Sequence, residues 1–401
     1  MFCYDADVIH SLATILGTWL IMRLAPRKWV GVVSFVFNLG YLLAAYYHVS
    51  SADNYDIDFT MLQCVLTLRL IGLAYDYADG GLPEGKVSEY QRANRLVALP
   101  DLLEVLGHSY HWAGLLVGPQ YSMATYRRFL NGDERMPPTW LPAICTFLLG
   151  AGYMAAHFAL GAYFPTSAVL TDEFRSAWPL WQRVGYMVVA YRVLLMRYAA
   201  IWLISDGHCI LSGLGYAGLD HLSRHRWNNV SNFLPLRFAT ASSIGDYVGS
   251  FNVNTNNWVK EYVFKRLRFL NNRNLSSLGS LVFLAVWHGL APGYFMTFVL
   301  EFVDGIAEGA LVRLTKPLSA WAATNPVAAA LHRVAACAIA TAMLSYGLVS
   351  FDLKDYARAV EVYSALLWVG HIIPVVLILL DGIAGLFRRP KARGEGKAKA
   401  A

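Results

Sequence analysis

The sequence predicts an all-α polytopic membrane protein with about eight to ten membrane segments. Three observations carry this. The chain of 401 residues is 56% hydrophobic and only 15% charged, against roughly 25% charged in ordinary globular domains. Its mean hydropathy is +0.40. Apolar runs recur along its whole length, several long enough to cross a hydrocarbon core of about 30 Å. Lipid offers no partner to backbone polar groups, so a spanning chain must be helical or a closed barrel. These runs are long and do not alternate, which selects helices.

In chain order, residues 12–24 form a short first span closed by Arg23, Arg27 and Lys28. Residues 30–49 form a second and residues 61–75 a third, with Arg69 inside it. The loop 50–59 carries Asp53, Asp56 and Asp58 without a basic residue, so the positive-inside rule puts it in the lumen and the 23–28 turn in the cytosol. Residues 76–98 are polar and read as a surface loop. Residues 99–123 mix apolar residues with Asp101, Glu104, His108, His111 and Gln120, and Gly118-Pro119 interrupts them. A lipid-exposed helix would not carry that load, whereas a broken or re-entrant segment lining a cavity would. Gly114 and Gly118 form a GxxxG pattern, a weak packing signal by itself.

Further on, residues 141–161 read as a span with His157, and residues 180–205 as another with Arg183, Arg192 and Arg197. The last two arginines do not share a stripe, so one is expected to snorkel while the other faces inward. Residues 207–218 are too short and glycine-rich to span. Residues 219–250 form a long polar loop, and 275–300 a single span containing His288. Residues 307–314 are a short amphipathic piece, and 327–349 and 366–387 are the last clear spans. No internal repeat is visible. Residues 1–387 read as one membrane domain and 388–401 as a basic cytosolic tail.

That tail explains the charge. Six basic residues (Arg388, Arg389, Lys391, Arg393, Lys397, Lys399) stand against Glu395, a net of +5 out of a total of +6. The rest of the chain is nearly neutral and offers no broad basic face, which excludes a nucleic-acid partner. The tail reads as a juxtamembrane anchor. Cys3, Cys64, Cys145, Cys209 and Cys337 are scattered singly, without CxxC or ligand spacing, and read as packing thiols. No GxGxxG or P-loop supports nucleotide-driven or dinucleotide chemistry. Asp304 and Glu308 stand i,i+4, but no matching His group accompanies them, so no metal site is expected.

Two places concentrate polar chemistry in apolar surroundings. Trp287-His288-Gly289 follows an apolar run, with Pro292 just beyond. An ionisable imidazole at membrane depth is either satisfied by a neighbouring carbonyl or is a functional group. As a function it is a general base. It has no adjacent nucleophile, which favours direct attack by a bound hydroxyl over covalent catalysis. The second place, 36 residues upstream, is Phe251-Asn252-Val253-Asn254-Thr255-Asn256-Asn257-Trp258. Its amides either cap a helix or donate to a developing oxyanion, and composition does not say which asparagine would do so. A basic helix follows, with Lys260, Lys265, Arg266, Arg268 and Arg273 among aromatic residues. It is either a membrane-surface helix or a phosphate-binding rim for an anionic co-substrate.

With these motifs the sequence resembles the membrane-bound O-acyltransferase family, and within it the branch of the lysophospholipid acyltransferase 5 (lysophosphatidylcholine acyltransferase 3) type. The resemblance covers essentially the whole chain and is carried by residues 54–57, 64–74, 102–123, 211–215, 250–258, 264–270 and 283–290. Trp287-His288-Gly289 alone supports the superfamily; Phe-Asn-x-Asn-Thr-Asn points to the branch. It implies a curved catalytic chamber in the endoplasmic reticulum membrane, with His288 and Asn252 catalytic; beside them, Asn254, Asn256, Trp258, Trp287, Lys265 and Arg266 are expected to bind substrate. The implied reaction esterifies the free sn-2 hydroxyl of lysophosphatidylcholine, and by extension lysophosphatidylethanolamine and lysophosphatidylserine, with a polyunsaturated acyl chain. Acyl-CoA is a co-substrate and no cofactor or metal is required. A lysophosphatidylinositol preference is the alternative enzyme reading, a lipid transporter or scaffold the non-enzyme one, and a homodimer is compatible with either. Relatives of this branch carry one or two more segments before the first one here, so the chain reads as N-terminally short. The vertebrate enzymes of this type also end in a dilysine retrieval signal, which this tail lacks.

Overall fold

The computed structural model describes residues 7–50, 59–132 and 135–387. The lumenal loop and the basic tail expected above lie outside these. The described chain is all-α apart from two isolated β-bridges, Leu219–His225 and Phe233–Phe251.

Its helices are α1 (Val8–Leu24), α2 (Arg27–Ser50), α3 (Thr60–Asp79), α4 (Glu89–Asn94), α5 (Leu102–Tyr110), α6 (Met123–Asn131), α7 (Trp140–Gly161) and α8 (Leu180–Ser212). The short α9 (Pro235–Ala239), α10 (Ile244–Val248) and α11 (Val253–Val259) follow. Then come α12 (Arg273–His288), α13 (Pro292–Leu314), α14 (Lys316–Ala322), α15 (Pro326–Leu353), α16 (Tyr356–Ala365) and α17 (Val369–Phe387).

By length and composition, α2, Trp140–Leu170 (α7 with its following turn), α8, α15 and α17 can cross a membrane. On α17 the apolar residues Ile372, Ile373, Val375, Val376, Leu379, Leu380 and Ile383 are exposed. In a membrane protein that surface faces lipid. α1, α3, α12 and α13 complete the bundle. They are shorter or carry buried polar groups, such as Arg69 and Asp76 on α3 and Asp304 on α13.

The broken segment at 99–123 is as the sequence predicts, and Arg69 explains how it is tolerated. Arg69 is 2% exposed. Its guanidinium donates to the carbonyls of His108 (3.3 Å), Ser109 (3.1 Å), Gly114 (2.7 Å) and Pro119 (3.2 Å). Gln120 donates to the Val65 carbonyl at 2.9 Å and Ser205 to that of Gly118 at 2.6 Å. Irregular backbone at membrane depth survives only where protein groups satisfy it in this way.

Four expectations change. Residues 275–300 are two helices, because Gly289 takes φ +135° and ends α12 at His288. Only glycine adopts that backbone readily, and Pro292 then opens α13. Residues 207–212 continue α8, which stops at Gly213 with φ +95°; Gly207 packs against Phe147 and its helical neighbours hold it. Residues 307–314 belong to α13 rather than forming a separate piece. The basic stretch is not one helix: α11 passes into a π-turn at Lys260–Phe264 and a 3₁₀ turn at Arg266–Leu270. The two arginines of α8 divide as expected, Arg197 exposed and Arg192 half-buried with its guanidinium 4.3 Å from the Phe238 ring.

Candidate active site

The chain brings His288 and Asn252 to the wall of one chamber of ≈ 230 Å³. Its walls follow from helical periodicity. α12 contributes Leu284 and His288, four residues apart, and α13 contributes Thr297, Phe298, Glu301 and Asp304 on one face. α8 adds Leu195, Tyr198 and Trp202, and α15 adds Met343, Leu344, Gly347, Leu348 and Phe351. Most of the lining is apolar or aromatic, with a few polar groups converging on it, as in ligand sites generally.

His288 is held by rings. Its imidazole stands 4.7 Å from Trp287, 5.0 Å from Phe351, 5.6 Å from Tyr294 and 5.6 Å from Phe298, between ring centroids. Among the described residues none hydrogen-bonds to it, and it lines the chamber. Trp287 is the anchor: its Nε1 donates to the Cys64 carbonyl at 2.9 Å, and its own carbonyl accepts from the Tyr46 hydroxyl at 2.8 Å. It lines neither cavity and fixes the end of α12 against α2 and α3.

The asparagine cluster divides its labour. Asn254 Nδ2 donates to the carbonyls of Val230 (2.7 Å) and Ser231 (3.0 Å). Asn256 Nδ2 donates to those of Val248 (2.9 Å) and Phe251 (2.9 Å). Both amides therefore staple the 230–251 loop to α11. Asn252 differs. It occupies the left-handed region, φ +51°, which asparagine tolerates better than most residues. Its Oδ1 accepts from Asn232 Nδ2 at 3.1 Å, which fixes the amide orientation. Its Nδ2 has no protein partner among the described residues, and Asn252 lines the chamber.

Asn232 was not singled out in the sequence. It is 2% exposed and sits at the centre of this arrangement. Its backbone N–H donates to both carboxylate oxygens of Asp206 at 3.2 Å, its carbonyl accepts from Val253 N–H at 3.0 Å, and its Oδ1 accepts from Asn254 N–H at 3.0 Å. One of three asparagines within five residues of a long polar loop, with Asn228 and Asn229, it carries no local signal that separates it from them.

A second cavity of ≈ 340 Å³ lies against other residues of α11. Asn252, Thr255 and Asn256 line the chamber, whereas Asn254, Asn257 and Trp258 line this one, with Arg69, Asp76, Tyr90, Gln120 and Lys260. It is the more polar of the two. Trp258 is buried, and its Nε1 has no hydrogen-bond partner. Lys265 and Arg266 line neither cavity. Lys265 pairs with Glu261 at 2.6 Å, and Arg266 holds both Asp79 oxygens at 2.8 and 2.5 Å. An anion reaching either must compete with a carboxylate.

The arrangement offers a ring-clamped imidazole, a preset amide donor and an apolar chamber, with a polar cavity one short helix away. The membrane-bound O-acyltransferase family matches residues 43–349. The chain is 36% identical over 387 residues to lysophospholipid acyltransferase 5 of Homo sapiens, covering 94% of this chain and 79% of that protein. The corresponding protein of Drosophila melanogaster is also 36% identical, with 92% and 76% covered. A lysophospholipid acyltransferase of Schizosaccharomyces pombe is 29% identical, with 92% and 75% covered. With its family match over most of its length and its close relatives along nearly all of it, this multi-span chain belongs to the membrane-bound O-acyltransferase family.

Proposed function

We propose that this chain is an acyl-CoA-dependent lysophospholipid O-acyltransferase of the endoplasmic reticulum membrane, with residues 1–387 as its catalytic domain and 388–401 as a cytosolic tail. It esterifies the free sn-2 hydroxyl of lysophosphatidylcholine, and also of lysophosphatidylethanolamine and lysophosphatidylserine, with a polyunsaturated acyl chain. The observation that carries this reading is the meeting of His288 and Asn252 on one apolar-walled chamber. The names of the relatives agree with it.

His288 accepts the proton of the glycerol hydroxyl. The hydroxyl oxygen attacks the thioester carbonyl carbon, and charge develops on the carbonyl oxygen. Asn252 Nδ2 donates to that oxygen, an interaction absent from the ground state and therefore catalytic. When the tetrahedral intermediate collapses, the carbon–sulfur bond breaks and the thiolate takes the proton back from His288. The products are the ester and CoA. The apolar chamber suits acyl chains, and the polar cavity beyond α11 suits the pantetheine and nucleotide of acyl-CoA, its phosphates turned toward the 260–273 stretch.

The test is direct. Purified protein in nanodiscs is offered a panel of lysophospholipids and acyl-CoAs, and products are identified by mass spectrometry. The reading expects stoichiometric CoA release with phospholipid formation, fastest with lysophosphatidylcholine and a polyunsaturated acyl-CoA. An active protein that prefers lysophosphatidylinositol would correct the head group. Movement of lipid without CoA release would overturn the enzyme reading.

A further inference from the structure

The chamber holds two acidic side chains that the mechanism does not use. Glu301 and Asp304 are one turn apart on α13 and both line the cavity. Asp304 is 5% exposed, and its Oδ1 has no hydrogen-bond partner. Glu301 makes no hydrogen bond or ion pair to any described residue. No lysine or arginine is among the residues lining the chamber. The cation of the adjoining wall, Arg192, lies against Phe238 and Tyr247 instead. Uncompensated carboxyl groups in an apolar enclosure are costly and mark the place of a counter-charge.

Their position sets what that counter-charge belongs to. Phe298 is the α13 residue stacked on the His288 ring, 5.6 Å away. Glu301 and Asp304 lie three and six residues further along, about 4.5 and 9 Å up the helix axis at 1.5 Å per residue. In a lysophospholipid, the amine nitrogen is eight bonds from the sn-2 oxygen. At the ~1.1 Å of reach per bond of an extended chain, that is about 9 Å. A hydroxyl placed at His288 thus carries its amine to the level of these two acids. Aromatic rings accompany them. Ile244 N–H donates to Glu308 at 2.8 Å, tying α10, and with it the cavity-lining Tyr247, to the same face of α13. Rings and carboxylates together suit a quaternary ammonium, which offers charge but no hydrogen-bond donor.

We infer that Glu301 and Asp304 form the docking site for the cationic amine of the lysophospholipid head group, and so select amine-bearing over amine-free head groups. This rests on the acyltransferase reading above. Two phospholipid acceptors with the same acyl chain test it, one with a phosphocholine and one with a phosphoglycerol head group, each with the same acyl-CoA. In Glu301→Gln and Asp304→Asn the kcat/KM ratio of phosphocholine to phosphoglycerol acceptor should fall about tenfold or more. An unmoved ratio, or equal loss with both acceptors, would overturn the assignment. A wild-type measurement stands beside it in case a variant does not insert. An alkylphosphocholine lacking the glycerol hydroxyl should inhibit about tenfold more tightly than the alkylphosphoglycerol of equal chain length. Equal inhibition would equally overturn it. A wild-type protein that releases no CoA with any acceptor would instead remove the acyltransferase reading, so the two failures are distinct.

Discussion

Asn232 Nδ2 donates to Asn252 Oδ1 at 3.1 Å, and this bond fixes the orientation of the Asn252 amide in the chamber wall. The same Asn232 is braced by Asp206 on α8 and by the first turn of α11. The amide is therefore held by a hydrogen-bonded frame anchored on α8 and α11, the kind of support that the proposed role as a transition-state donor needs.

Asn252→Ala should lower kcat by roughly 10²–10³, and because it leaves the buried Asn232 Nδ2 unpaired it should also cost about 1–3 kcal/mol of stability. Asn254→Ala should differ in kcat. Its amide satisfies two loop carbonyls, so its loss should lower stability by about 1–3 kcal/mol with a smaller effect on kcat. Steady-state kinetics and melting curves on the same preparations separate the two. Equal kinetic losses would make the cluster a packing feature.

His288→Ala should abolish transfer in a protein that still inserts and purifies normally. The expected loss is roughly 10²–10⁴. The four surrounding rings anchor α12 without help from the imidazole, and Trp287 keeps both of its hydrogen bonds. Normal turnover by a well-folded variant would remove His288 from the mechanism.

Much of this site was legible because its chemistry conflicts with its surroundings. An imidazole after an apolar run and four asparagines in eight residues are conspicuous in a membrane protein. So was the broken segment, since its polar load could not face lipid. What was hidden depends on distance in the chain. Nothing local to Asn232 announces that it orients a residue 20 positions away. The division of residues 275–300 into two helices turned on one glycine's backbone angle, which an apolar run does not reveal. Arg266 looked like a free cation because its partner, Asp79, is 187 positions upstream, whereas the partner of Lys265, Glu261, stands only one helical turn before it.

That pairing sharpens the test of the basic stretch. Arg266→Asp places two carboxylates together, so a raised KM for acyl-CoA could reflect local collapse. Combining it with Asp79→Arg restores an ion pair of inverted polarity. The doubly substituted protein should recover its melting temperature and keep the raised KM for acyl-CoA, with the lysolipid KM little changed. Recovery of both stability and KM would assign Arg266 to structure alone.

Arg69 should prove the most sensitive structural residue of the bundle. One guanidinium serves four carbonyls of the broken segment. Each buried carbonyl left unpaired costs about 1–3 kcal/mol, so Arg69→Ala should lose roughly 4 kcal/mol or more. Arg69→Lys should rescue little, because a single ammonium cannot reproduce the planar fork. The readout is the monodisperse fraction on size-exclusion chromatography after detergent extraction, followed over a temperature ramp. Both variants should aggregate at temperatures where the parent remains monodisperse. Wild-type behaviour of Arg69→Ala would show that the segment is held by its other contacts, chiefly those of Gln120 and Ser205.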